Sequence, residues 1–322
     1  MKRKGIRIFL AVLILGYLAA AAVPLLAVWS TEGKKPSQNK AQKIGAEGFR
    51  LEDADGTILE VSDEEFVRGG IAAEVPPTWE PAALEAQGVA LYTYYSRLRE
   101  QNRESGGEGA DFSCDTQNAL VYLPEELRKE RWGDKFEEYE AVLEKAEKAV
   151  RGKTLQKDGE LVCTTYFAIS SGNTDAGGDI WGGDDACLQP AASPGDIFAD
   201  GYLSQAEMTV NEVKEALARL CPEEKLGNDP DAWMAKLERT GSGTVRSGMV
   251  GNTQVTGTEL RNAFGLRSAN FTFEIEKGKF LFTVRGWGHN VGMSQNGAQY
   301  MAQNGADYQE ILAWYYPGSE LV

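Results

Sequence analysis

What this chain lacks narrows its chemistry before any motif is read. Histidine occurs once in 322 residues, as His289, and no G-x-S-x-G turn is present, so a hydrolase of the nucleophile-elbow type has nothing to stand on. A cysteine peptidase fares no better, because none of the four cysteines, Cys114, Cys163, Cys187 and Cys221, has an obvious histidine partner. They form no C-x-x-C pair, which removes the usual start of a zinc site. As disulfides they allow three pairings, and buried thiols fit the sequence equally well. Basic residues are also in short supply: 33 against 48 acidic, a formal charge of −15, with Lys2, Arg3, Lys4 and Arg7 all in the first seven positions. That balance argues against nucleic acid or anionic lipid as the main partner.

Charge is absent altogether from Ile8 to Trp29, a mostly apolar run that as a helix would cover roughly 30 Å and so cross a bilayer. The cationic residues 1–7 should stay cytoplasmic, and 8–29 is expected to be a transmembrane anchor. The AAAAV at 19–23 is a sequence that a signal peptidase could cut, but the run is longer than a typical cleaved signal, which favours an uncleaved anchor. Residues 30–46, rich in Lys, Gln and Ser, read as a linker, and everything after them should lie outside the cytoplasm. With 42% apolar residues the remainder can bury a full core.

Along residues 47–322 helical and strand signals alternate without an internal repeat, which predicts one extracytoplasmic α+β domain of mixed helices and antiparallel hairpins. Two strands around a turn at Asp55 and Gly56 come first. Ser62 with Glu65 then opens a helix that must stop near Glu74, because Pro76 and Pro77 follow and a residue before proline is pushed out of the helical region. Thr78 is the expected cap of the next helix, whose positions Leu84, Gly88, Leu91, Tyr95 and Leu98 step by fours and threes. Gln101 to Asp111 reads as a mobile loop by composition, and Val121 with Tyr122 as a strand. Pro124 should begin the longest helix, running to Gly152. A hairpin turns at Asp158 and Gly159 with LVCTTYFAIS as its second strand, and SSGNTDAGGDIWGGDD, 170–185, is too glycine-rich for helix or strand. Residues 204–240 look like a helical excursion, with helices opened by Thr209 and Glu212 and again over Asp231–Arg239. A strand at 243–252, a helix capped by Thr256, and a hairpin turning at Lys277 and Gly278 follow, and a helix from Asp307 closes the chain.

That last hairpin leads into RGWGHNVGMSQNGA, Arg285–Ala298, where four glycines and the sole histidine share fourteen residues. Glycines at this density permit positive φ and close backbone approach, and Ser294 can cap a helix running to about Asn304. Here the chain resembles the stage II sporulation protein D (SpoIID/LytB) family of membrane-anchored bacterial cell-wall enzymes. The family pattern GWGHGVGMSQ-GA is matched by GWGHNVGMSQNGA, with TGTELRNAFGLRS before it and YQEILAWYYPGSELV after it. A second block, EMP followed by EALKAQAVAARTY, is matched by EVPPTWEPAALEAQGVALYTYY at 74–95.

The resemblance implies a lytic transglycosylase, cutting between N-acetylmuramic acid and N-acetylglucosamine in peptide-stripped peptidoglycan strands to leave 1,6-anhydro ends. It implies Glu74 as the acid, His289 as a residue orienting groups at the cleft floor, and Ser170, Ser171, Asn173, Thr174 and Gln295 as sugar-binding donors. One carboxyl suffices for such chemistry if the sugar's own C6 hydroxyl attacks the oxocarbenium-like centre. Apolar neighbours Ala72, Ala73 and Val75 would help to keep Glu74 protonated. Glu85, opposite the apolar face of its helix, is expected at the surface. The implied setting is wall remodelling during engulfment, beside an amidase and membrane sporulation proteins. The alternative is a non-catalytic glycan-binding scaffold that stimulates the amidase. No cofactor is implied, and no zinc, since Gln117, Asn118 and Ala119 stand where some relatives have histidine. Departures from the pattern are Ala83 for glutamate, Gly88 for alanine, Tyr92 for arginine and Asn290 for glycine.

Overall fold

The structure, a computed structural model, describes residues 48–322 apart from 107, 108 and 184. The expected cytoplasmic end, anchor and linker lie outside the described residues. Among those described, no helix is long and apolar enough to cross a membrane. The chain is α+β, with helices set among mostly antiparallel sheets. The single domain expected over 47–322 divides into two compact units, one comprising the described residues up to Thr165 with Met301–Val322, the other Tyr166–Tyr300.

The first unit is organised on the helix Pro81–Glu104, whose residues from Ala86 to Ser96 are all buried. Its start corrects the expected cap: Glu80 rather than Thr78 precedes the first turn, because the chain turns once more after the prolines, with Trp79 N–H bonded to the Pro76 carbonyl. Its end corrects the expected loop, since helix runs on to Glu104 and Arg103 forks onto the buried Asp111 carboxylate at 2.8 and 3.0 Å. Gly88 explains one departure from the family pattern. A Cβ there would stand 3.2 Å from Ile71 and from Val150, so glycine lets the helices Asp63–Glu74 and Phe136–Val150 pack close on the central one.

The helix expected from Pro124 to Gly152 is instead two, Glu125–Trp132 and Phe136–Val150, broken where Gly133 takes φ +51. Val121, at φ +76, is in no strand. Strands Phe49–Glu52 and Ile58–Val61 pair antiparallel as expected, and Phe112–Ser113 adds to their edge in parallel. The hairpin Leu155–Lys157 with Glu160–Leu161 turns at Asp158 and Gly159, and its outer partner is the C-terminal strand Glu320–Leu321. Its second strand stops at Leu161, far short of Ser170.

The second unit holds two three-stranded antiparallel sheets. One is the hairpin Phe271–Glu276 with Lys279–Arg285, extended by Leu203–Thr209. Phe271, Phe280 and Phe282 are fully buried on one face of it, each contributing about 2 to 3 kcal/mol through removal from water. The other consists of Met234–Arg239, Val245–Val250 and Thr253–Thr256. The excursion expected over 204–240 is therefore only partly helical. Val210–Leu220 is the capped helix read from Thr209 and Glu212, but Asp231–Arg239 is no helix: a 3-10 turn Pro230–Ala232 leads into a strand. Lys236 at φ +49 bulges that strand and shifts its register, which hides the two-residue alternation a strand would show.

Candidate functional site

Glu74 is the last residue of its helix and belongs to the first unit. Val75 is fully extended, at φ −138 and ψ 153, and its N–H still closes the helix onto the Ile71 carbonyl. Two prolines follow, so the backbone that carries the carboxyl is fixed by steric limits on both sides. Ala72 and Val75 are buried, while Ala73 and Glu74 are half-buried. The helix begins with Ser62 accepting from Glu65 N–H at 3.2 Å, but the Glu65 carboxylate turns away from the cap to Arg128 and Tyr122. Tyr92, where the family pattern has arginine, donates its hydroxyl to Asp63 at 2.8 Å, and Arg99 meets the other oxygen of that carboxylate at 3.1 Å. Glu85 is half-buried rather than at the open surface, and burial raises its carboxyl above the usual range against the pull of Lys153 and Lys145.

The glycine stretch belongs to the second unit and lies flat against the segment 166–170. A Cβ on Gly286 would stand 2.8 Å from the Ile169 carbonyl oxygen, and one on Gly288 would stand 2.5 Å from the Phe167 side chain. Backbone bonds from Ile169 to Trp287 and back, at 3.0 and 2.7 Å, close that contact. His289 sits between the rings of Phe167 and Trp181, at 5.3 and 5.0 Å. Its Nδ1 accepts from the Val291 N–H at 3.2 Å, which leaves Nε2 to carry the proton and donate to the Tyr166 carbonyl at 3.0 Å. Burial, with Arg261 adding to it, drives its pKa down to about 3. At neutral pH the ring is thus a neutral, fixed tautomer with both nitrogens engaged by the backbone.

Of the serine-loop residues, Ser170 and Thr174 are buried, Ser171 is half-buried and Asn173 is exposed. The Ser170 hydroxyl accepts from the Gly172 amide at 3.1 Å and the Thr174 hydroxyl from the Ala191 amide at 2.8 Å. Gln295, also buried, opens the helix Gln295–Gln303. Asn290 ties the loop to the histidine stretch and stands at φ +70, the left-handed region where asparagine replaces glycine at least cost. The structure thus brings Ser170, Ser171, Asn173, Thr174, His289 and Gln295 into one unit, with Glu74 in the other.

Sequence reading missed the residue that organises this unit's loops. Asp196 is fully buried, accepts from Ser170 N–H at 3.1 Å and from Ser294 Oγ at 2.9 Å, and also bonds Ser193. Burial raises its carboxyl above the ordinary value despite those bonds. Nothing in SPGDIF marks it. Ser294 in turn caps the following helix by accepting from Gly297 N–H at 3.2 Å, as the sequence predicts. All four cysteines are thiols, none in a disulfide, with Cys114, Cys187 and Cys221 buried. Among the described residues, no cluster of three or more His, Cys, Asp and Glu could hold a metal ion.

The model of the family described as SpoIID, stage II sporulation protein, matches residues 52–156, which contain Glu74 and the central helix. The chain is 28% identical over 292 residues to stage II sporulation protein D of Bacillus amyloliquefaciens, covering 90% of this chain and 82% of that protein. Against the protein of the same name from Bacillus subtilis (strain 168) it is 28% identical over 293 residues, 89% of this chain and 83% of that one. The chain is a relative of the stage II sporulation protein D family. A more distant likeness, 22% over 303 residues, links this SpoIID relative to a B. subtilis (strain 168) protein named amidase enhancer, of which it covers 40%. The family match ends well before the histidine stretch, whereas the matches to the SpoIID proteins extend over most of the chain.

Proposed function

We propose that this SpoIID relative is a membrane-anchored lytic transglycosylase, acting during sporulation on peptidoglycan strands freed of their peptides. Glu74 protonates the oxygen that bridges N-acetylmuramic acid to N-acetylglucosamine. As positive charge develops at the anomeric carbon, the muramic C6 hydroxyl attacks, and the newly formed carboxylate takes its proton, closing the 1,6-anhydro ring. The observation that carries this reading is the rigid seat of Glu74, a half-buried carboxyl at a helix end that is followed by an extended valine and paired prolines, inside the block that matches the family. A fixed acid loses little entropy on reaching the transition state. The serine loop and the histidine stretch supply neutral donors and acceptors suited to sugar hydroxyls and acetamido groups, with His289 fixing its own stretch against Tyr166 through its two backbone bonds.

The test is to incubate the protein with peptide-free glycan strands and look for anhydro ends by mass spectrometry. Wild type should make them; Glu74→Gln should still bind strands but lose at least about a hundredfold in rate. Products at the wild-type rate from Glu74→Gln would reject the assignment, and Glu85→Gln then becomes the next variant to assay. A second reading, a non-catalytic scaffold that stimulates a partner amidase, is favoured by the likeness to the amidase enhancer and by the altered helix at 82–94. Strand binding by wild type without any anhydro product would select it.

A further inference from the structure

The Asn290 carboxamide sits in a wall of complementary groups. Its Nδ2 donates to Asp175 Oδ2 at 2.7 Å and to the Asn173 carbonyl at 3.0 Å, while its Oδ1 accepts from Ser171 N–H at 3.1 Å. Ser171 Oγ and Ser242 Oγ, both at 3.3 Å, complete the ring. A primary amide has two N–H donors on one side and an acceptor on the other, and the wall offers two strong acceptors facing one donor. The wall is also held by bonds that do not involve residue 290: Asp175 Oδ1 accepts from Ser242 Oγ at 2.7 Å, and the Ser242 carbonyl accepts from Asn270 Nδ2 at 2.8 Å. Asn290 itself is 4% exposed and keeps this position only by adopting φ +70, which a side chain disfavours.

We propose that residues 171–175 together with Ser242 form an amide-binding cradle that this chain fills with its own carboxamide. Residue 290 then decides specificity: asparagine closes the cradle from within, and a glycine would leave it to bind an amide from outside, a primary amide making both N–H bonds and the secondary acetamido group of an N-acetyl sugar only one of them. The Asp175 carboxylate rejects a second carboxylate in the same place. This inference stands on geometry within the second unit and does not depend on Glu74, so either can fail without the other.

The experiment follows thermal unfolding of the full-length chain as wild type, Asn290→Gly and Asn290→Asp, with acetamide, N-acetylglucosamine or sodium acetate titrated over the millimolar range. Ligand that binds only the folded state raises its midpoint by mass action. Asn290→Gly should rise by about 3 °C or more in acetamide, with wild type unmoved and acetate without effect. A matching rise in N-acetylglucosamine means that the cradle opens to sugars; acetamide alone means that it admits only small amides. Asn290→Asp, nearly the same shape but with a carboxylate facing Asp175, should unfold well below wild type at neutral pH. Equal responses of Asn290→Gly and wild type to acetamide, equal effects of acetate and acetamide, or wild-type stability of Asn290→Asp would each overturn the proposal. If Asn290→Gly does not accumulate folded, its refolding yield is read instead: recovery with acetamide and not with acetate supports the cradle, and no recovery overturns it.

Discussion

The two units satisfy their buried polar atoms in different ways. In the helical unit the largest tie is ionic: Arg128, fully buried, reaches Glu65 at 2.8 Å and Glu140 at 2.9 Å, with Arg68 and Tyr122 bonded to the same Glu65 carboxylate. In the sheet-and-loop unit they are mostly short and neutral, through Ser170, Thr174, Ser242, Asn270, Asn290 and Ser294, with Asp175 and Asp196 as the carboxylates at their centres. Helices satisfy their own backbone, so long charged side chains are available to join one helix to another. Loops leave amides and carbonyls to be met locally, and a hydroxyl or carboxamide does this at the right reach.

The largest test of that contrast is Arg128→Ala, which strands Glu65 and Glu140 together in a part-buried place. It should cost about 3 to 5 kcal/mol in denaturant unfolding, with Arg128→Lys in between because lysine cannot fork onto two carboxylates. A loss under 1 kcal/mol would mean that the network is ornamental and that the helical core carries the unit by itself.

Next in size is His289. A folded pKa near 3 against about 6.5 unfolded means that only the unfolded chain takes up the proton between those values. Its contribution is therefore whole above about pH 6.5 and is lost as pH falls toward 3, by at most about 1.4 kcal/mol per pH unit. Unfolding of wild type and His289→Gln should show a gap that narrows on acidification through that window. As the chain's sole histidine, its ring proton should also give one NMR signal that does not titrate above pH 5. A gap independent of pH would place the ring in ordinary solvent.

The smallest effects belong to the caps. In the helices Val210–Leu220 and Gly257–Phe264 both legs of the capping box are closed, whereas Ser62 has only one, its Glu65 being drawn into the ionic network. Thr209→Ala and Thr256→Ala should each cost about 1 kcal/mol, and Ser62→Ala somewhat less. Equal losses at all three would show that the reciprocal leg adds nothing.

These caps also mark what could be read in advance. Thr209 with Glu212, Thr256 with Glu259, Asp307 with Glu310, and the turns at Asp158–Gly159 and Lys277–Gly278 are local chemistry, and each stands where its residues predict. Asp231–Arg239 has a helical look, yet Met234–Arg239 is a strand whose bulge at Lys236 erases the alternation, a fact of sheet register rather than of local preference. Pro124 and Gly152 bound what reads as one helix, and the folded chain reveals the break at Gly133. The buried Asp196 had no motif to betray it, since its partners at Ser170 and Ser294 are 26 and 98 residues away. Asn290 was visible as a departure from a glycine, but its meaning depends on Asp175 and Ser242, which no spacing links to it.

The glycines at 286 and 288 act as spacers of zero thickness. Two strips of main chain are laminated there, and any substituent would pry them apart like grit between plates. Positions reserved for thinness present no side chain to a visiting molecule, and the residues set between and beside them, His289 and Asn290, spend their polar atoms on the chain's own neighbours. The conspicuous letters of the motif set the gap, and the inconspicuous ones lock it.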